Sequence, residues 1–213
     1  MSISTNDQIE PARRRALPTE PMSFEDFLVW VDEDSHVEWV NGRVVPMAPI
    51  DDEHADVSGF LQALLRHWAQ DRKLGIVRAE PVLMKIGANL PARSPDVLFL
   101  AKENLARNKR TYINGPADLV VEVISPDSVV RDRKEKFAEY EQGGVREYWL
   151  IDPPRKRAEF YQRGAEGLYR AVAPDKRGVY QCAVLPGLWL RVDWLWQRPL
   201  PTVISVLREW KLV

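Results

Sequence analysis

Two acids and a lysine are grouped around two short apolar strands. Ser94-Pro95-Asp96 runs into Val97-Leu98-Phe99-Leu100. Asp118-Leu119-Val120-Val121-Glu122-Val123-Ile124 leads to Ser125-Pro126, and a charged helix carrying Lys136 comes next. Side chains alternate along a strand, so Asp118, Val120, Glu122 and Ile124 share one face. An ionised Glu122 inside an otherwise apolar strand is costly unless it is paired or metal-bound. One acid opening a buried strand and another inside its neighbour make a grip for a divalent cation beside a phosphodiester. Carboxylate oxygens are what a hard cation such as magnesium prefers, and it usually keeps waters for chemistry. The plainer alternative for Glu122 is a buried acid salt-bridged to an arginine.

The remaining candidates carry their own alternatives. Ser-Pro-Asp occurs twice, and at Ser125-Pro126-Asp127 it follows a strand rather than opening one, so Asp127 reads as a turn or helix-start residue. Asp132, Lys136 and Tyr140 are spaced i, i+4, i+8 and share one helix face. Lys136 there could orient an attacking water or stabilise the charge of a phosphorane; otherwise it is a surface lysine paired with Asp132. Glu38 shares a strand face with His36 and Val40, as a third carboxylate or as a solvent-facing residue of an edge strand. His54 opens a long helix, as a phosphate or metal contact or as a capping or surface histidine. His67 falls among polar helix positions and has no assigned role.

The elements that must position these residues follow from periodicity. Ser23, with Asp26 at the capping-box position and Met22 stapling to Phe27, starts a helix of about ten residues. His36–Val40 and Arg43–Met47 flank Asn41-Gly42, a type I′ hairpin signal. Val57, Phe60, Leu61, Leu64, Leu65 and Trp68 form the buried stripe of a helix over Glu53–Arg72. Gly75–Glu80 and Val82–Ile86 read as one strand or two bent by Pro81, and 87–93 as a turn-rich connection. Asp96–Leu100 and Asp118–Ile124 are strands of the kind buried on both faces. Arg131–Gln142 is a helix ended by Gly143-Gly144, and Glu147–Asp152 is a further central strand. Ala158–Arg163 and Leu168–Val172 form an antiparallel pair, Pro186–Leu190 closes the sheet region, and Pro201–Leu212 is a last helix. The expected fold is α/β in mixed α+β form, a mixed β-sheet flanked by helices, without the βαβ rhythm or glycine-rich loop of a nucleotide-binding fold.

The chain has 213 residues and a net charge of −1. Residues 1–21 read as a disordered tail and 22–213 as a single domain. One cysteine, Cys182, rules out an internal disulfide and a cysteine metal cage, and points to a cytoplasmic protein. No apolar run approaches a membrane span. The near-neutral balance argues against tight nonspecific DNA binding. Basic residues nevertheless cluster at Lys102–Arg110, Arg131–Lys136 and Arg155–Arg157, as solvated faces or as phosphate contacts.

Read in order, several segments resemble the Uma2 family of bacterial proteins, of the PD-(D/E)XK restriction-endonuclease-like superfamily. They are Glu38 with Asn41-Gly42-Arg43-Val44-Val45, His54, Pro95-Asp96, Val121-Glu122-Val123-Ile124-Ser125-Pro126, Asp132…Lys136…Tyr140 and Gly144-Val145-Arg146-Glu147-Tyr148-Trp149-Leu150-Ile151-Asp152. The likeness covers roughly residues 22 to 195. It implies a restriction-endonuclease-like core and a Mg²⁺- or Mn²⁺-dependent endonuclease acting on DNA. Asp96 would match the first acid, Glu122 the second, and Glu38 the acid of the N-terminal element, all three as metal ligands. The superfamily's commonest form places a lysine two residues after the second acid, where this chain has Ile124. The resemblance moves the lysine to the following helix, as Lys136. Lys134, the competitor, lies about 200° around a 3.6-residue helix from it.

Two rivals stand beside the nuclease. One is an endonuclease-like fold that binds DNA or protein without cutting. The other is a structural protein whose acids pair with Arg43, Arg78 or Arg93. A homodimer would suit cleavage of two strands. Strandedness, DNA against RNA, and sequence preference are not legible, nor are roles for His54, Asp118 and Tyr140.

Overall fold

The computed structural model describes residues 16–32, 34–125 and 128–213. Residues 1–15 of the expected tail, and the Pro126-Asp127 of the second Ser-Pro-Asp, lie outside them. Helix α1 (Phe24–Trp30) starts where Ser23 Oγ accepts from the Asp26 amide and donates to Asp26 Oδ2. It has seven residues rather than ten, and turns out of the helix at Val31. Strands β1 (Val37–Val40) and β2 (Arg43–Pro46) form the hairpin, with Asn41 and Gly42 both at positive φ as a type I′ turn requires.

Helix α2 (Asp52–Asp71) is capped by Asp51, whose side chain accepts from the His54 amide, and buries the stripe from Val57 to Trp68. The chain then enters β3 (Gly75–Ala79), β4 (Leu83–Lys85), β5 (Ala92–Arg93), β6 (Val97–Ala101), β7 (Tyr112–Asn114) and β8 (Leu119–Val123). A π-helical turn, Arg131–Lys136, leads into α3 (Phe137–Gly143), and Gly144 closes that helix in the left-handed region. Strands β9 (Glu147–Asp152), β10 (Arg157–Arg163), β11 (Tyr169–Ala171), β12 (Val179–Gln181) and β13 (Trp189–Arg191) precede α4 (Val203–Glu209).

Among the described residues these strands form two main sheets and a ribbon. The order β11-β10-β9-β8-β6-β3 makes the central sheet, parallel only between β8 and β9. The order β2-β1-β5-β4-β7 makes the second. The fold is the mixed α+β architecture expected, with three differences. First, β3 and β4 part at Pro81 into different sheets. Second, Pro186–Leu190 feeds a separate β12–β13 ribbon instead of closing the main sheet. Third, Ala92–Arg93 and Tyr112–Asn114 are strands too short to show a period.

The central sheet is buried on both faces. Leu119, Val121 and Val123 of β8 join α2, α4 and the tryptophans Trp68, Trp194 and Trp210 in one core. Val120 and Ile124 face a second core with Tyr140, Tyr148 and Met84. Glu122 lies on that second face. Trp189 and Trp194 pack at 5.3 Å between ring centres, so the carboxy-terminal tryptophans serve the core. At Gly143 helix α3 crosses so close that a Cβ would stand 2.0 Å from Ile86 Cγ2.

Candidate active site

Sheet register sets the acids side by side. Ala79 pairs with Val97, and Val97 with Val121, both antiparallel. Carrying the register on by one residue puts Glu80, Asp96 and Glu122 in a row across three neighbouring strands, with Glu122 under α3 and Asp96 against α2. Directly opposite residues have Cβ atoms about 5 Å apart. Asp96 is held from both sides: Oδ1 meets His54 Nε2 at 2.9 Å and Oδ2 accepts from the Val123 amide at 2.6 Å. A carboxylate needs a donor, so His54 carries its proton on Nε2.

Glu122 is buried and doubly bonded. Lys136 Nζ donates to Oε2 at 2.7 Å and Tyr140 OH to Oε1 at 2.6 Å. Burial, foremost, pushes its carboxyl up to about 8; the nearby charges of Asp132 and Asp96 add to this and Lys136 opposes it. Burial would strip the proton from Lys136, but Glu122, Glu38, Asp132 and Asp96 hold it well above the ordinary lysine value, so it is an ammonium. Lys134, the competitor, is exposed.

Glu38 is buried on β1, not solvent-facing. It accepts from Arg93 Nη1 at 2.8 Å and the Ser94 amide at 3.1 Å, and Lys136 Nζ lies 3.8 Å away. Arg93 also grips Glu139 of α3 through Nε and Nη2, both at 2.7 Å, tying the hairpin to the helix. The structure thus brings Glu38, Asp96, Glu122 and Lys136 together, with Glu38 committed to Arg93, one of the pairings the structural reading named. Asp118 braces Ala101, Asn104 and Arg146 elsewhere. His67 is exposed.

A cleft of about 960 Å³ opens in front of Asp96. Its walls include Trp30, Ser58 and Gln62, the carboxylates Asp32, Asp34, Glu80 and Asp96, and His36; among the described residues no lysine or arginine lines it. Burial and the Asp96 charge raise the Glu80 carboxyl. His54 and Glu80 are parts of the site that sequence reasoning left without a role, and Arg93 was named only as one of three possible partners of the acids. His54 had a signal, since it stands three residues before Val57 and seven before Leu61 on the buried stripe. Glu80 had none short of the strand register.

The donor set suits a hard divalent ion of the magnesium type, which takes one or two carboxylates and keeps waters rather than filling an all-protein cage. Asp96 and Glu122 offer that pair, and the buried Asp132 Oδ1 close by has no hydrogen-bond partner. No cluster of three or more metal-binding side chains is arranged among the described residues.

The helix-flanked mixed sheet is an arrangement shared with a nuclease-like family and a solved structure. Residues 24–193 match the Uma2 family, described as "Putative restriction endonuclease", and the chain belongs to that family. A crystal structure described as a putative nuclease belonging to DUF820, from Anabaena variabilis, is similar with a TM-score of 0.66. It covers 82% of this chain and 97% of that one at 16% identity, a likeness of fold. An uncharacterised Synechocystis protein is 29% identical over 128 residues, 59% of this chain and 71% of that one. No helix of the described residues is long and apolar enough to cross a membrane.

Proposed function

We propose that the protein is a Mg²⁺- or Mn²⁺-dependent endonuclease that hydrolyses DNA phosphodiester bonds. The observation that carries this reading is Asp96 on the wall of a cleft, one strand over from the buried Glu122, whose Oε2 accepts from Lys136 Nζ at 2.7 Å. Asp96 and Glu122 would hold the ion, with Glu38 supporting them through Lys136 and Arg93. A bound divalent ion would polarise the phosphate and acidify a water. His54 and the Val123 amide fix the Asp96 carboxylate so that its free lone pairs keep one direction. Lys136 keeps an ammonium against Glu122, positive charge that would offset the negative charge an attacked phosphate gains. Tyr140 holds Glu122 Oε1 in place. Residues 22–213 act as one domain in the cytoplasm, and a homodimer would present two clefts to two strands.

One observation favours the non-cutting alternative. The cleft wall carries four carboxylates and no lysine or arginine among the described residues, a poor lining for a polyanion without added cations. Incubation of plasmid DNA with Mg²⁺ separates the two. Nicking or linearisation that is lost in Asp96→Asn and Glu122→Gln, and lost with chelator, supports the enzyme. Cleavage that survives those substitutions overturns the site, and DNA retention without cleavage favours the binding module.

A further inference from the structure

Lys136 stands among three carboxylates and hydrogen-bonds one. Nζ is 2.7 Å from Glu122 Oε2, 3.3 Å from Asp132 Oδ1 and 3.8 Å from Glu38 Oε1, and only the Glu122 contact has hydrogen-bond geometry. Glu38 is already engaged by Arg93 and Ser94. Asp132 is different: its side chain is 2% exposed and Oδ1 has no hydrogen-bond partner. Arg131 Nε, 3.9 Å from the same oxygen, is also without one. A buried carboxylate oxygen kept without a donor is costly. Here it lies 3.3 Å from the Lys136 ammonium.

A divalent ion held by Glu122 would compete with the Lys136 ammonium for that carboxylate. If Lys136 had nowhere else to go, every cation bound would strand a buried ammonium. Asp132 lies four residues earlier on the same helical segment, and its Oδ1 is already 3.3 Å from Nζ, within reach of a side-chain rotation.

We propose that Asp132 is a positioning residue: it receives the Lys136 ammonium when Glu122 turns to a divalent cation, and so keeps the lysine beside the reacting phosphate. This deepens the nuclease reading and rests on its assignment of Glu122 to the ion.

The test is calorimetric titration with Mn²⁺ of the full chain as wild type, Asp132→Ala, Lys136→Met and the double variant. Wild type binds, and Asp132→Ala binds at least tenfold more weakly. Lys136→Met binds as tightly as wild type or more so, and Asp132→Ala adds no further loss in that background. Equal affinity of wild type and Asp132→Ala overturns the inference and leaves the nuclease reading standing. A loss that persists in the Lys136→Met background also overturns it, since Asp132 then acts without the lysine. Absence of Mn²⁺ binding by wild type at millimolar concentration sinks the nuclease reading and the inference with it. A crystal structure of wild type with Mn²⁺ bound needs no variant to fold. Nζ hydrogen-bonded to Asp132 is the expected result, and Nζ still on Glu122 Oε2 overturns the proposal.

Discussion

Nε2 of His54 meets Oδ1 of Asp96 at 2.9 Å, joining the first turn of α2 to the opening of β6. The side chains are 7% and 8% exposed, so water replaces this bond poorly. His54→Ala is expected to lower unfolding stability by about 1–3 kcal/mol, the cost of a buried acceptor losing its donor. Urea denaturation reads this directly. A change within a few tenths of a kcal/mol would mean that the ring does not hold the acid.

Glu38 sets the response to acid. Burial alone would raise its carboxyl, but the charges of Lys136 and Arg93, with hydrogen bonds from Arg93 and the Ser94 amide, bring it below the ordinary 4.5. As pH falls the unfolded chain takes up this proton first. The stability Glu38 contributes is therefore present above 4.5 and lost below it, down through the lower folded value. Melting temperature should drop across that window, and Glu38→Gln should flatten the drop. An unchanged acid limb in the variant would remove Glu38 from the account.

Glu122 sets a different window, for cation binding. Burial first, then Asp132 and Asp96, put its carboxyl at about 8 against the pull of Lys136. A cation requires the carboxylate form. Mn²⁺ affinity should climb as pH rises to about 8 and then level off, with the proton release measured by calorimetry shrinking over the same range. In the metal-free protein the sign reverses: the folded state keeps a proton that the unfolded state gives up, so stability falls from 4.5 to about 8 as pH rises. An affinity independent of pH across this interval counts against Glu122 as a ligand.

Glu147 shows what a buried acid looks like when its work is structural. Oε1 accepts from Trp149 Nε1 and Tyr180 OH, and Oε2 from the Cys182 thiol and the Ala183 and Val184 amides. Glu147→Gln turns a donor group toward these donors and should cost about 3 kcal/mol or more. Mn²⁺ affinity of the folded variant should stay at the wild-type value, because Glu147 pairs with Leu119, at the far end of β8 from Glu122. A variant that melts normally but loses Mn²⁺ binding would contradict this division.

Gly143→Ala tests the placement of α3. Its Cβ would meet Ile86 Cγ2 at 2.0 Å, so the helix must move off the second sheet. A loss of about 1–3 kcal/mol is expected from such overpacking, together with weaker Mn²⁺ binding, because Tyr140 and Lys136 travel with the helix. Normal binding in a destabilised variant would mean that the site tolerates helix displacement.

The elements nearest the chemistry were the most legible. Glu147–Asp152 matches β9 residue for residue, because a run buried on both faces between a glycine pair and a proline leaves little choice. The alternation in β8 gave the face of Glu122 correctly, and the helix-face argument put Lys136 inside and Lys134 outside. Pairing across the chain was not legible. That Arg93 would claim Glu38, that Glu80 would stand opposite Asp96, and that β3 and β4 would part into two sheets all depend on strand register and long-range packing. Local spacing carries no trace of these. The 3.6-residue geometry behind the lysine choice is also not the geometry found, since Arg131–Lys136 forms a wider, π-helical turn. Asp132 and Lys136 still meet at 3.3 Å across it.

That wide turn gives the site a separate adjustment. Where acid and lysine share a strand, the pleat fixes their spacing, and neither moves without the other. Here the acids belong to the sheet and the ammonium to a helix whose loose turn, of a kind frequent at functional sites, accommodates an extra residue. Shortening that turn by one residue would swing the ammonium away while leaving both acids where they are. The length of that turn thus sets the reach of the ammonium separately from the sheet that sets the acids, without touching a carboxylate.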